Sequence, residues 1–516
     1  MFKTTRRNFL KLASFSAGAL LSGFGPSPSL PSDGKSNQPN IFILLFDAMS
    51  ARHLSLYGYS RHTTPNLERF AQRALVYHSH YSGGNCTTPG TSSILSGMLP
   101  WSSRAINLGG MDRRDFSDRN IFSLIGSGYY RVAYTQNLWA DMLLRQFNAD
   151  IDTHISPSAF KDFDTSLNFL LGQPDIPDSM MTFNAFDLFL PVGGLKPYKR
   201  SGSTLFSYLD QFYASAQKTL NRPSHGEYPF GLPYNGWYKF EVPTVLSNVS
   251  DVMERLSARS GPVFGYFHLW SPHEPLNPRK EFVGVLPEMP ILKKPHHPLS
   301  RYSASSKDYI ELYDRYDAYI ADVDREFGKL FDKLEAAGAL ENSCFIVTSD
   351  HGELFERGEE YHVTPLLFDP VIHTPLLISL PGLGTRQDVF TPTSAVDLLP
   401  TLLKISGQPI PDWVEGRLLP GFGGQEDSSR SIFTIEAKEN SAFKPLTKVT
   451  ISMIKGNWKL IYYKGYDNYN NIFELYNLQD DLQEMKNLIK NNNGIASPLK
   501  KELLNALHLA DQPFGG

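Results

Sequence analysis

The side chains best suited to chemistry in this chain stand at the ends of apolar runs. Asp47 follows Ile41-Phe42-Ile43-Leu44-Leu45-Phe46, and Asp350-His351 follows Cys344-Phe345-Ile346-Val347-Thr348-Ser349. His273 comes shortly after a third run, Val263-Phe264-Gly265-Tyr266-Phe267. Carboxylate oxygens and imidazole nitrogens gathered at one place are ligands for a divalent metal. A single Asp after a strand is usually a turn or cap residue, but several such ends, one of them an Asp-His pair, point to a shared site. A second kind of chemistry is offered by Asn85-Cys86-Thr87-Thr88-Pro89-Gly90 and the residues up to Gly97. The pattern is a helix N-terminus with Thr87 or Thr88 as cap, Pro89 in the first turn, and Gly97 with Pro100 closing it. A hydroxyl there faces free backbone N–H groups and the positive end of the helix dipole, where an oxyanion or phosphate is favoured. A plain capping threonine has the same pattern.

Holding these residues is the task of strands covered on both faces, because continuous apolar runs of this kind belong in a buried parallel sheet. Helical patterns lie between them, over Asp251 to Arg259 and over Tyr309 to Ala337. The second repeats Tyr313, Tyr316, Ile320, Val323, Phe327, Leu330 and Leu334 with a 3.6-residue period and stops at Gly338. Such alternation predicts an α/β fold, with ligands at the carboxyl ends of the strands. Of 516 residues, 41% are hydrophobic and 20% charged, which excludes a disordered chain. Lys+Arg 49 against Asp+Glu 53 is too even for a surface that wraps polyphosphate, so no nucleic-acid partner is expected. Two cysteines exclude a disulfide scaffold.

The first residues read as an address. Thr5-Arg6-Arg7-Asn8-Phe9-Leu10-Lys11, followed by a weakly apolar run from Leu12 to Gly25, has the pattern of a twin-arginine export signal. The run is shorter than the roughly 20 residues a bilayer span needs. The expectation is transport by the twin-arginine translocase to the periplasm or cell exterior, with membrane tethering only if the signal stays uncleaved. Pro26 to Pro39, rich in Ser, Pro and Gly, reads as a linker, so residues 1–39 are set apart from the fold.

Asn40 to Pro100, with Asp47, His53-Leu54, Tyr57-Gly58-Tyr59, Thr64-Pro65-Asn66-Leu67 and Thr87-Thr88-Pro89, resembles the N-terminal region of the sulfatase family in the alkaline-phosphatase superfamily. Thr348-Ser349-Asp350-His351-Gly352-Glu353 resembles that family's second metal motif, and Leu366-Leu367-Phe368-Asp369 with Thr374-Pro375-Leu376-Leu377-Ile378 continues the likeness. Gly456-Asn457-Trp458-Lys459-Leu460-Ile461 and Glu474-Leu475-Tyr476-Asn477-Leu478 resemble its small C-terminal subdomain. The resemblance implies a large, mostly parallel central sheet with helices on both faces, spanning residues 40–408. Within it, a family-specific insertion is expected at about 140–245. Residues 409–516 would form an α+β subdomain with a short antiparallel sheet.

The departures from the family decide the expected chemistry. Formylglycine sulfatases carry Cys or Ser, then any residue, Pro, any residue and Arg. Here Pro89 sets the register, which puts Thr87 at the nucleophile position and Thr91 at that of the Arg, with Cys86 one residue early. The Lys-x-His pair of sulfatases is replaced by the stretch Tyr134-Thr135-Gln136-Asn137-Leu138-Trp139. No formylglycine is expected. Threonine nucleophiles are what the superfamily's phosphodiesterases and phospho-group transferases use. A threonine oxygen can attack phosphorus, and water or an alcohol can then attack the phosphothreonine in line, whereas a sulfated threonine has no comparably easy exit. The expected activity is therefore hydrolysis or transfer of a phosphoester group through Thr87. The alternatives are an arylsulfatase-like sulfuric ester hydrolase and a catalytically idle binding or sensing relative.

Carried over residue by residue, the resemblance makes Asp47, Thr87, Asp350 and His351 ligands of one divalent metal, with Ala48 where sulfatases often have a second Asp. Three oxygens and one nitrogen suit Zn²⁺ or Mn²⁺ better than Ca²⁺. His273 matches the histidine that touches a substrate oxygen, and His362 matches a position that contacts substrate or a second metal. Cys344 lies six residues before Asp350, roughly 20 Å down its strand, so no bridge to Cys86 is expected. Trp237, Tyr238 and Phe240 are expected to form the insertion's own core rather than to line a pocket. The substrate is expected to be a small-molecule, lipid or sugar ester.

Overall fold

Every residue from Ile41 to Phe46 is apolar and at most 1% exposed, and this strand is the spine of the sheet. A computed structural model of the chain describes residues 38–107, 116–160, 163–164, 226–236, 238–288, 293–302 and 306–516. The twin-arginine pattern, Trp237 and positions 165–225 of the expected insertion lie outside the described residues.

Eight strands form the central sheet: β1 (Asn40–Phe46), β2 (Leu75–Tyr77), β3 (Tyr130–Thr135), β4 (Thr153–Ile155), β5 (Val263–Leu269), β6 (Ser343–Thr348), β7 (Leu376–Ser379) and β8 (Gln387–Val389). Their order is β8-β2-β7-β6-β1-β5-β3-β4. All neighbours run parallel except β7, which is antiparallel to both β6 and β2. This is the mostly parallel α/β sheet expected from the sequence. Period-two alternation divides β1 between two cores. Phe42, Leu44 and Phe46 pack with Val245, Val249, Tyr316, Ile320 and Phe327, while Ile41, Ile43 and Leu45 pack with Ile94, Leu95, Leu143, Leu398 and Leu402. The helices α1 (Thr87–Ser96), α2 (Leu138–Gln146) and α5 (Leu398–Ile405) supply the second set; α3 (Val242–Ser257) and α4 (Ser306–Ala336) supply the first.

Four antiparallel strands follow, β9 (Ser431–Glu436), β10 (Val449–Lys455), β11 (Trp458–Lys464) and β12 (Ile472–Asn477), with helix α6 (Asn493–Asp511) packed on them. The edge strand β9 is tied to the loop before Thr87, as Ile435 N–H donates to Gly83 O at 2.9 Å and the Thr434 hydroxyl to Ser82 O at 2.6 Å. Among the described residues no helix is long and apolar enough to cross a membrane.

Several local expectations are corrected. The helix expected from Asp251 starts at Val242, with Pro243 in its first turn, where a missing N–H is harmless. The third apolar strand runs on to Leu269 and so contains His268. Cys86, not Thr87 or Thr88, is the N-cap of α1: it is extended (φ −151°, ψ 170°), while Thr87 is already helical and no side chain caps the end. Tyr238 and Phe240 belong to neither a pocket nor a separate core, because both are buried on the β1 sheet face beside Val242 and Val245. Cys86 and Cys344 are both free and buried.

Candidate active site

The carboxyl ends of β1 and β6 lie side by side, since Leu45 pairs with Thr348 and His268 of β5 pairs with Leu45. That register brings Asp47, Asp350 and His351 together without exposure to water. Each has one polar atom fixed by the protein and one left over. Asp47 Oδ2 accepts from Asn137 Nδ2 at 2.5 Å and lies 3.1 Å from His268 Nε2, while Oδ1 has no partner. Asp350 Oδ1 accepts the N–H groups of Ala48 (3.3 Å) and His351 (3.0 Å), while Oδ2 has none. His351 Nδ1 donates to Gly352 O at 3.0 Å, leaving Nε2 free. Nε2 lies 3.4 Å from Asp47 Oδ1 and 3.5 Å from Asp350 Oδ2. Buried polar atoms are almost always satisfied, so three convergent unsatisfied ones describe a cradle for a cation.

Electrostatics agree with that reading. Burial pushes the Asp350 carboxyl well above its usual range, and the neighbouring Asp47 adds to the shift. Burial opposes ionisation of Asp47 too, but His273, His268 and His351 together hold it below the ordinary carboxylate range. Burial keeps the His351 imidazole neutral, in the form that ligates metal. The two carboxylates and neutral imidazole, with the Thr87 hydroxyl nearby, are a donor set that could hold a divalent metal ion.

Thr87 sits at the first turn of α1, against this cluster. Its Oγ1 accepts from Asn137 Nδ2 at 3.1 Å, the same amide that holds Asp47. Asn137 is the N-cap of α2, and its Oδ1 accepts the Trp139 N–H at 2.8 Å. The cap therefore fixes which end of the amide faces the nucleophile candidate. Gly90 explains how close α1 can come: a Cβ there would lie 2.3 Å from Asp350 O. Cys86, fully buried, has its thiol pushed up to about 12 by burial, which leaves it a poor nucleophile.

A second cluster adjoins the first. His273, Glu353 and His362 are buried with ligand atoms within 4.8 Å of one another, and the rings of His351 and His362 are 4.3 Å apart. His362 Nδ1 pairs with Glu353 Oε1 at 3.1 Å, while Glu353 Oε2 has no partner. His273 Nδ1 donates to Glu274 O at 2.8 Å. Burial, with His273 next, pushes His362 down to about 3; His273 is shifted the other way against its burial by Asp47, Glu353 and Glu274.

The structure thus gathers all six residues singled out from sequence, Asp47, Thr87, Asp350, His351, His273 and His362, into one buried cluster. Sequence reasoning missed Asn137, His268 and Glu353. Glu353 stood inside a motif read only for Asp350 and His351. Asn137 stood before a helical pattern as a possible cap, and His268 was lost because the strand was ended two residues too soon, at Phe267 instead of Leu269.

A family model described as "Sulfatase" matches residues 39–408, and one described as "N-sulphoglucosamine sulphohydrolase, C-terminal" matches residues 359–509. Arylsulfatase K of Bos taurus is 28% identical over 227 residues, a match that spans only 40% of either chain. Choline-sulfatase of Rhizobium meliloti is 21% identical over 481 residues, 89% of this chain and 83% of that one. Among solved structures, a phosphonate monoester hydrolase of Agrobacterium radiobacter superposes with a TM-score of 0.63 at 17% identity, covering 92% of this chain and 96% of the other. A 2-O GAG sulfatase gives 0.62 at 16% identity, covering 92% and 93%. At such identities the superpositions establish a shared fold, and with the family model spanning most of the sequence, the chain belongs to the sulfatase family.

Proposed function

We propose that this protein is an exported, divalent-metal-dependent enzyme that cleaves or transfers a phosphoester group through a covalent bond to Thr87. The observation that carries the reading is a threonine hydroxyl, held by Asn137 at 3.1 Å, next to the unpartnered Asp47 Oδ1, Asp350 Oδ2 and His351 Nε2. When bound there, Zn²⁺ or Mn²⁺ would favour ionisation of a nearby hydroxyl and draw electron density from an anionic ester. Asn137 Nδ2 donates to Thr87 Oγ1 and stabilises that oxygen as its proton passes to water. Thr87 Oγ1 then bonds to phosphorus, the bond to the leaving oxygen breaks, and that oxygen takes a proton. His273 can supply it, since its Nδ1 is occupied by Glu274 O and its surroundings favour the protonated ring. Water or an alcohol attacking phosphorus in the second step returns Thr87 to its free form. The N–H groups at the start of α1 favour the anionic oxygens.

Sulfate ester hydrolysis is the second reading, supported by the family itself and by relatives such as choline-sulfatase. Four unsatisfied buried ligand atoms support a bound cation, because burial without partners is costly unless something binds, and turnover separates an enzyme from an idle binding relative. Delivery to the periplasm or cell exterior rests on Arg6-Arg7 and the apolar run behind them.

The test is turnover of phosphomonoester, phosphodiester and sulfate ester panels, with mass spectrometry of a trapped reaction. Thr87→Ala should cost at least about 10³ in kcat, Thr87→Ser should keep partial activity, and Cys86→Ala should be nearly silent. Phosphate should appear on the peptide containing Thr87. An unmodified Thr87 with Cys86 oxidised to an aldehyde would reverse the choice in favour of sulfate chemistry.

A further inference from the structure

One fully buried imidazole at the site is used by none of these steps. His268 Nε2 lies 3.1 Å from Asp47 Oδ2 and 3.8 Å from Asp350 Oδ2, and its Nδ1 lies 3.2 Å from Tyr266 Oη. An ionised carboxylate can only accept, so Nε2 carries the proton toward Asp47 and Nδ1 must accept from the Tyr266 phenol. Tyr266 and His268 share a sheet face by the period of two, and both have no exposure. With His268 and Asn137 both on Oδ2, Oδ1 is the oxygen without a partner.

We infer that His268 is a positioning residue: it holds Asp47 by Oδ2 so that Oδ1 is presented to a divalent cation, with Tyr266 fixing the imidazole tautomer. The inference rests on the metal reading proposed above. Its competitor is direct ligation of the cation by His268 Nε2, and glutamine separates the two. A glutamine amide can donate to Asp47 as the imidazole does but offers a metal only a carbonyl oxygen, which suits Zn²⁺ less than a ring nitrogen does, so the Zn²⁺ titration separates the two.

The experiment is calorimetric titration of the full chain, stripped by a chelator, with Mn²⁺ and with Zn²⁺ at one pH, each variant first checked by circular dichroism. His268→Ala should bind about 10- to 100-fold more weakly than wild type, the range expected when an outer partner of a ligand is removed. His268→Gln should recover most of that loss, and Tyr266→Phe should fall between wild type and His268→Ala. Equal losses in the Ala and Gln variants would make His268 a ligand and overturn the positioning role. Unchanged affinity in His268→Ala overturns the inference while leaving the metal reading intact. Wild-type protein that binds neither ion removes both. Should His268→Ala fail to fold, Tyr266→Phe decides: weaker binding supports the inference and unchanged binding overturns it.

Discussion

Two clusters of carboxylates are buried in this protein, and the chain treats them in opposite ways. Where the C-terminal sheet meets the large one, Asp369 is paired with Arg52 and with Lys459 (2.9 Å), and Lys459 also pairs with Glu484 at 2.6 Å. Two acids meet two bases supplied by the same chain, and Lys459 and Arg52 hold Asp369 below its usual range against the cost of burial. In the candidate site, Asp47, Asp350 and Glu353 have only histidines as ion-pair partners among the described residues, and one oxygen of each has no hydrogen-bond partner. Desolvation is equally complete in both places. A buried carboxylate whose counter-charge is built in holds the fold together; one whose counter-charge is missing waits for a cation from outside.

The contrast can be broken at either end. Asp350→Asn removes one of three convergent ligand atoms, so it should abolish most bound metal and lower turnover by about 10³ or more. Metal analysis and steady-state kinetics read this, and an Asp350→Asn enzyme that keeps both metal and activity would end the comparison. Lys459→Met should act on the other side only. Leaving Asp369 and Glu484 without their shared base should cost about 3–5 kcal/mol in urea unfolding, with the metal content of the folded protein unchanged. Equal stability would mean that the junction is not held by charge.

Smaller effects sharpen the same distinction. Removing metal with a chelator should lower the wild-type unfolding midpoint, by about 2.7 kcal/mol relative to a cation held at a hundred times its Kd. Asp350→Asn should show no such response. The pH dependence of the junction follows from the sign of its shift. Asp369 is held below its ordinary value, so its contribution is complete above about pH 4 and is lost only as pH falls toward the folded value. Burial pushes Glu484, the other acid on Lys459, up, so its share of the stability gap between wild type and Lys459→Met should narrow first as pH falls, and the share of Asp369 only below about 4. A gap that has already closed at pH 5 would show that Asp369 carries none of it.

What was legible along the chain was local. A strand buried on both faces announces itself as an unbroken apolar run, which is why β1 and β6 and the ligands just past them could be read directly. Asn137 and His268 were not legible for the same reason in reverse. Their roles depend on which strand lies beside which: β5 pairs with β1, and β3 with β5, across long stretches of chain. Tyr238 and Phe240 were misread because an aromatic-rich stretch does not say which core it joins.

The sequence by itself determined the α/β class, the Asp47 and Asp350-His351 strand ends, and threonine where a formylglycine precursor would stand. The first two follow from residue type and from periodicities of two and 3.6 residues, which act within a few neighbours; the third rests on the resemblance to the sulfatase motif. Only the tertiary structure decided that Asp47 Oδ2 is taken by Asn137 and His268 while Oδ1 is free, that Glu353 joins His273 and His362, and that Cys86 rather than a threonine caps α1. Those outcomes depend on strand order and register, because a side chain's hydrogen-bond partner is chosen by what the sheet places within about 3 Å of it.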